Sequence, residues 1–175
     1  MSSINFISLD KINPEEFIPI LNKVSTRNHL ITHDEFDSSS VRSWIDEKLN
    51  EDKIDGCIVR AIETDGILVG WCGIQSSELG FEIAIVLDNT CWGIGKDVFN
   101  SLIYWTKDYG HKIIYIHLLH TRPEYHFLRR MSQRVFQTEM LGDRFTTYEL
   151  NVDNLVYQKD KMYIDTHRID KIVVR

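Results

Sequence analysis

Residues 88–99, DNTCWGIGKDVF, lie between an apolar run and a segment with helical periodicity. The run before them, 81–87 (FEIAIVL), has the continuous apolar character of a strand that is covered on both faces. After them, apolar residues recur at helical spacing over 97–109. A glycine loop between a strand and a helix is typical of anion-binding sites, because the first N–H groups of a helix have no partner inside the helix. This stretch therefore bears on both the fold and the function.

Two phosphate-binding motifs fit the loop poorly. A P-loop requires Ser or Thr after Gly-Lys, whereas Asp97 follows Gly95-Lys96, and Thr90 stands where its first glycine should be. The dinucleotide fingerprint requires a third small residue, whereas Val98 occupies that position. It also requires an acidic residue about 20 positions later, where the chain reads HLLH at 117–120. A turn that merely begins a helix is the remaining alternative.

The flanking segments predict an α/β protein with a mixed sheet. Asp65-Gly66 between two apolar runs predicts a hairpin, and Gly110 predicts the end of the helix after the loop. The predicted strands are 4–9, 56–63, 67–75, 81–87, 113–119, 135–140 and 145–152. The predicted helices follow Pro14, begin at the N-cap Ser38-Ser39-Ser40, span 97–109, and run from Pro123 to about residue 133.

The loop and the order of elements together resemble the GNAT N-acetyltransferase superfamily. Its acetyl-CoA loop reads Gln/Arg-x-x-Gly-x-Gly/Ala, and residues 90–95 (TCWGIG) match it except at Thr90. The resemblance covers about residues 4–152 and implies a GNAT-like α/β (α+β) fold. Such a fold has a mixed, mostly antiparallel sheet flanked by helices, and its central strands, here 81–87 and 113–119, splay apart.

The resemblance also implies which residues contact acetyl-CoA. The strand backbone would bond the pantetheine arm, at Ile85, Val86 and Leu87. The N–H groups of the loop would hold the pyrophosphate, at Trp92, Gly93, Ile94, Gly95 and Lys96. Thr90 replaces the family's Gln or Arg, which leaves these backbone contacts but puts one side-chain contact in question.

Two residues are candidates for acid–base catalysis. Glu82 lies in an otherwise apolar strand, where a carboxylate is costly unless it faces a cleft or a partner. It also matches a position where many family members carry a general base, although an edge-facing or salt-bridged glutamate is an equal alternative. Met131 stands where the family has a tyrosine that protonates the thiolate, and Tyr125 or His126 could replace it. Tyr125 could equally be a packing residue.

The composition argues against several other classes of function. The net charge of −6 and the pI of about 5.6 provide no basic field for nucleic acid, and the cluster Arg122, Arg129, Arg130 and Arg134 is interpreted as a solvated helix face. No apolar run is long enough to span a membrane. Three scattered cysteines and an N-terminus without a signal peptide favour the cytoplasm.

No metal site is expected. His117 and His120 are three residues apart in a predicted strand, so they should point to opposite faces, and His126 does not complete a ligand set with them.

These observations predict an acetyl-CoA-dependent N-acetyltransferase. The amine, on a small molecule or a peptide N-terminus, would attack acetyl-CoA directly in a ternary complex. The alternative is a non-catalytic acyl-CoA-binding or regulatory domain on the same fold. Residues 1–152 would form the catalytic domain, and 153–175 an extension with two short strands that pack on it or on the partner chain of a homodimer.

Overall fold

The computed structural model describes residues 3–27, 34–91 and 93–155. Their strands are β1 Ile4–Ile7, β2 Ile58–Thr64, β3 Ile67–Ser77, β4 Gly80–Leu87, β5 Ile113–Leu119, β6 Arg134–Met140 and β7 Asp143–Asn151. Their α-helices are α1 Ile18–Leu21, α2 Val24–Arg27, α3 Ser38–Asp52, α4 Gly95–Asp108 and α5 His126–Met131. Short 3₁₀ turns lie at Leu9–Lys11, Pro14–Phe17 and Val152–Asn154.

The strands form one mixed sheet in the order β1-β2-β3-β4-β5-β7-β6. Neighbouring strands are antiparallel except β4 and β5, which run parallel. In the described part of the chain these two strands share a single register pair, Glu82 with Tyr115, and they diverge after it. The predicted mixed, mostly antiparallel sheet with splayed central strands is therefore confirmed.

Each face of the sheet carries its own core, because alternate residues of a strand point to opposite sides. On one face Ile83, Ile85 and Leu87 of β4 join the side chains of α4 and α5. On the other face Ala84 and Val86 join the side chains of α3 and the N-terminal turns. Both faces are covered, which explains the continuous apolar sequence of β4.

The predicted turns are confirmed, with two corrections to helix boundaries. Asp65 and Gly66 have φ of 52° and 79°, as a tight hairpin requires, and Gly110 ends α4 with φ of 74°. The N-cap of α3 is Asp37 rather than the three serines, because its carboxylate accepts from the backbone of the first turn in a capping box. The helix after Pro123 is limited to α5, since the chain returns to strand at residue 134.

Among the described residues, no helix is both long and apolar enough to cross a membrane. The two strands predicted beyond residue 156, and with them most of the proposed extension 153–175, lie outside the described residues.

Candidate active site

The loop after β4 is closed by its own side chains. Thr90 donates to Asp88 Oδ1 from both its backbone N–H and its hydroxyl, each at 2.9 Å. Lys23 Nζ donates to the same oxygen at 2.7 Å. Burial acts to raise the pKa of Asp88, but these donors outweigh it and hold the pKa below its ordinary value. Thr90 thus stabilises the turn itself, in the position where the resemblance expected a long side chain.

The loop then delivers the chain into the start of α4. Gly93 is exposed and has φ of 91°, a conformation that favours glycine. Ile94 is the N-cap and offers no side-chain oxygen to the first turn, while Gly95 is buried and Lys96 is half-buried. The first turn of α4 therefore has the positive end of the helix dipole without a capping side chain among the described residues. Trp92, predicted to contribute another N–H, lies outside the described residues.

The strand segment predicted to hold pantetheine has one paired edge. Ile85, Val86 and Leu87 are buried, and they pair with β3. Within the described residues no residue of β5 pairs with them, because β4 and β5 separate after Glu82. Beyond Glu82, the edge of β4 that faces β5 therefore has no ladder partner among the described residues.

Glu82 lies where the splay begins and is 2% exposed. Its Oε1 is 3.5 Å from Gln75 Nε2, and its Oε2 is 3.3 Å from His117 Nε2. The contact with His117 is within ion-pair distance but is not a well-aligned hydrogen bond. Glu82 is thus a buried carboxylate with polar neighbours on both sides.

The neighbours of Glu82 belong to a wider polar network. His117 is fully buried, and its Nδ1 is 2.8 Å from the hydroxyl of Thr147. On the other side, Lys48 Nζ donates to the side-chain oxygen of Gln75 and lies 4.6 Å from the centre of the Trp71 ring. Sequence reasoning considered His117 only as a metal ligand. The signal that it missed was a polar residue within an apolar strand, the same signal that singled out Glu82.

The histidines point apart, as the strand spacing predicts. His120 is exposed and contacts the Arg144 carbonyl, whereas His117 is buried, and His126 is exposed. In the described ranges, no three His, Cys, Asp or Glu side chains lie close enough together to hold a metal ion.

Tyr125 precedes α5 and is 3% exposed. Arg122 Nη2 donates to its hydroxyl oxygen at 3.1 Å. Arg122 is itself only 7% exposed, and burial lowers its pKa in spite of this contact. The interpretation of the arginine cluster as a solvated helix face is therefore wrong for Arg122, because the chain folds it against Tyr125. It is also wrong for Arg134, which lies in β6.

Glu82 and Tyr125 lie on opposite faces of the sheet. Tyr125 packs in the core that contains Ile85, whereas Glu82 alternates with Ile83 and shares its face with Ala84. The two candidate residues therefore flank the splayed strands from different sides.

No protein-family model and no curated protein matches this sequence. Solved structures, in contrast, share its fold. A Bordetella pertussis protein provisionally described as a GNAT-family acetyltransferase aligns with 86% of this chain and 99% of its own, at a TM-score of 0.66 and 11% identity. The microcin C7 self-immunity acetyltransferase MccE, solved with acetyl-CoA and AMP, aligns over 85% and 92%, with a TM-score of 0.64 and 15% identity. The PaiA N-acetyltransferase of Thermoplasma acidophilum, solved with coenzyme A, aligns over 85% and 99%, with a TM-score of 0.55 and 17% identity.

Proposed function

We propose that this chain, which has the fold of the GNAT acetyltransferases, transfers an acetyl group from acetyl-CoA to a primary amine. One observation carries the proposal: a buried carboxylate lies at the point where two parallel strands separate, and the first of these strands leads into a glycine loop that begins a helix. The similar structures with acetyl-CoA or coenzyme A support the same donor.

The residues beside the slot fit acetyl-CoA through their backbone. A pantetheine arm carries amide groups, which can pair with the open edge of β4 at Ile85, Val86 and Leu87 as a neighbouring strand would. The N–H groups from Gly93 to Lys96 would face the pyrophosphate at the positive end of α4, and Lys96 adds a cation. Trp92 remains part of the proposed contact set. Bound acetyl-CoA would supply an activated acetyl group.

Glu82 would act as the general base. An amine attacks a thioester only when its nitrogen lone pair is available, so a proton must leave it. Glu82 lies on the face of the sheet that α3 covers, and the amine would approach from there. Backbone N–H groups near Ile85 would polarise the acetyl carbonyl. A small molecule and a peptide N-terminus both satisfy this chemistry.

Tyr125 is the proposed proton donor to the departing thiolate. Its hydroxyl oxygen accepts from Arg122, so its own proton is left to donate in another direction. It lies on the face opposite to Glu82, which suits a direct attack in which amine and thioester approach from different sides. We place the reaction in the cytoplasm, since the three cysteines are free thiols.

The alternative is a non-catalytic acyl-CoA-binding or regulatory domain. Two departures from the family pattern favour it, Thr90 in the loop and Met131 in place of the family's tyrosine. It shares the cofactor contacts of the first proposal and differs only in turnover.

The test compares Glu82→Gln with Glu63→Gln, a half-buried strand glutamate on β2. Acetyl-CoA affinity is measured by calorimetry, and turnover is measured by thiol release with a panel of amines. We expect Glu82→Gln to lower kcat by about 100-fold or more at unchanged affinity for acetyl-CoA. General-base catalysis accelerates a reaction by roughly 10²- to 10⁴-fold. Glu63→Gln should resemble the parent.

Two results would count against the proposal. Equal turnover in parent and Glu82→Gln would remove Glu82 as the base. Acetyl-CoA binding without turnover of any amine would favour the regulatory alternative.

A further inference from the structure

We propose that His117 is a positioning residue for Glu82, and that the hydroxyls of Thr147 and Thr138 hold its ring in orientation. This inference rests on the proposed function, because it assigns a role to the group next to the proposed base. It concerns the ionised state and the orientation of the Glu82 carboxylate rather than contact with substrate.

The four side chains form a chain that crosses four neighbouring strands of the sheet. Glu82 on β4 lies 3.3 Å from His117 on β5, and His117 lies 2.8 Å from the hydroxyl of Thr147 on β7. The Thr147 and Thr138 hydroxyls are 2.6 Å apart, and Thr138 is on the edge strand β6. His117 and Thr147 are both fully buried. Protein groups rather than solvent therefore set the proton positions in this chain.

Elementary hydrogen-bond chemistry determines which of these four side chains donate and which accept. An ionised carboxylate only accepts, so Nε2 of His117 must carry the proton that faces Glu82. In a neutral ring Nδ1 is then an acceptor, and the Thr147 hydroxyl must donate to it. The Thr147 oxygen can in turn accept from the Thr138 hydroxyl. Every donor in the chain therefore points toward Glu82.

A donor also faces Glu82 from the side of β3. Lys48 contacts the side-chain oxygen of Gln75, which leaves the Gln75 amide nitrogen turned toward Glu82. Donors thus face Glu82 from both neighbouring strands, and donors to a carboxylate favour its charged form. The present contacts with Glu82 are longer than ideal, as is common for catalytic hydrogen bonds that tighten when substrate binds.

The other titratable groups near the pair have their own partners. The Tyr115 ring stacks on His117 with 6.0 Å between centres, and its hydroxyl donates to Glu149 at 3.1 Å. Glu149 also accepts from the side chains of Gln133 and Arg134. Among the described residues, these groups and the Lys48 side chain contribute to the electrostatic background of a pH profile.

The experiment uses paired variants that keep or remove one proton donor. Thr147→Val removes the hydroxyl and Thr147→Ser retains it, while His117→Leu removes the ring donor and His117→Gln retains an N–H group. Thr146→Val, on the opposite face of β7, is the control. For each variant, kcat and kcat/KM are measured across pH, and acetyl-CoA affinity is measured by calorimetry.

We expect His117→Leu to lower kcat/KM at neutral pH by about 10- to 100-fold, because the ring N–H that faces the Glu82 carboxylate is lost. The acid limb of its profile should move up by about one pH unit. Thr147→Val should lower kcat/KM by roughly threefold to tenfold, since the ring remains but Nδ1 loses the hydroxyl that helps to orient it. Thr147→Ser and Thr146→Val should stay within about twofold of the parent, and all acetyl-CoA affinities should agree.

Nitrogen-15 NMR of the imidazole rings decides the tautomer without any need for turnover. We expect His117 to carry its proton on Nε2 in the parent, and we expect Thr147→Val to shift the Nδ1 resonance, because Nδ1 loses the hydroxyl that donates to it. A proton on Nδ1 in the parent, or equal kinetics in Thr147→Val and Thr147→Ser, would overturn the positioning role. A parent without turnover would contradict the proposed function, while the ring measurement would still decide the arrangement of His117.

Discussion

Gly93→Ala should both destabilise the fold and weaken the binding of acetyl-CoA. Gly93 has φ of 91°, and a Cβ placed there would meet no heavy atom within 4 Å, so the substitution strains the backbone without a clash. A side chain at positive φ costs roughly 1–2 kcal/mol. A backbone that relaxes to negative φ turns the neighbouring peptide and moves an N–H group away from the pyrophosphate. Loss of one charge-assisted hydrogen bond of about 1.5–3 kcal/mol raises Kd by roughly 10- to 150-fold.

Gly110→Ala is a matched control at the other end of α4. Gly110 has φ of 74°, and its added Cβ would likewise meet no heavy atom within 4 Å. Both variants should lose a similar free energy of unfolding, measured by urea denaturation. Only Gly93→Ala should show the higher Kd for acetyl-CoA, measured by calorimetry at a temperature where both variants are folded.

Two outcomes of the Gly93→Ala and Gly110→Ala measurements would contradict this prediction. If Gly93→Ala binds acetyl-CoA within about threefold of the parent while it is destabilised as expected, the peptide groups around Gly93 do not hold the pyrophosphate. If both variants lose affinity equally, α4 as a whole is perturbed and the loop has no special part in binding.

Two further predictions concern single side chains. Asp88→Asn should lower the free energy of unfolding by about 1 kcal/mol at pH 7, because Asp88 bonds to Lys23 and its side chain is only 20% exposed. The folded pKa of Asp88 lies below its ordinary value of 3.8, so this contribution is present above about pH 4 and is lost as pH falls through the folded pKa. Urea denaturation at pH 7 and pH 3 should show the difference between parent and variant shrink, and an equal difference at both pH values would refute it. Tyr125→Phe should lower kcat by roughly tenfold or more if its hydroxyl protonates the thiolate, whereas Tyr148→Phe, in the same core, should not. Loss of stability alone, through the Arg122 contact, would instead identify Tyr125 as a packing residue.

Much of the fold could be predicted because its signals are local. The apolar run at 81–87, the glycine loop and the helical spacing after it each follow from neighbouring residues, and each appears as an element of the structure. The hairpin at Asp65-Gly66 is likewise specified by two residues that tolerate positive φ. The splay of the central strands came from the family resemblance rather than from local pattern, and the single pair between Glu82 and Tyr115 confirms it.

The side-chain network could not be predicted, because it depends on register between distant strands. Glu82 and His117 are 35 positions apart, and their contact requires a particular alignment of β4 with β5. The burial of Arg122 depends similarly on where the chain turns after β5. Periodicity shows which residues share a face of one strand, but not which residue of the next strand will lie opposite.

The same register serves both folding and the proposed chemistry. Glu82 faces the polar chain, whereas Ile83, one position later, faces the core beneath α4. A slip of β4 by one residue would place a carboxylate in that core and an isoleucine beside His117, and both changes are costly. Hydrophobic burial along β4 therefore fixes the side of the sheet on which Glu82 lies, and the separation from β5 begins at the same residue. A single structural constraint thus places both the proposed base and the proposed thioester slot.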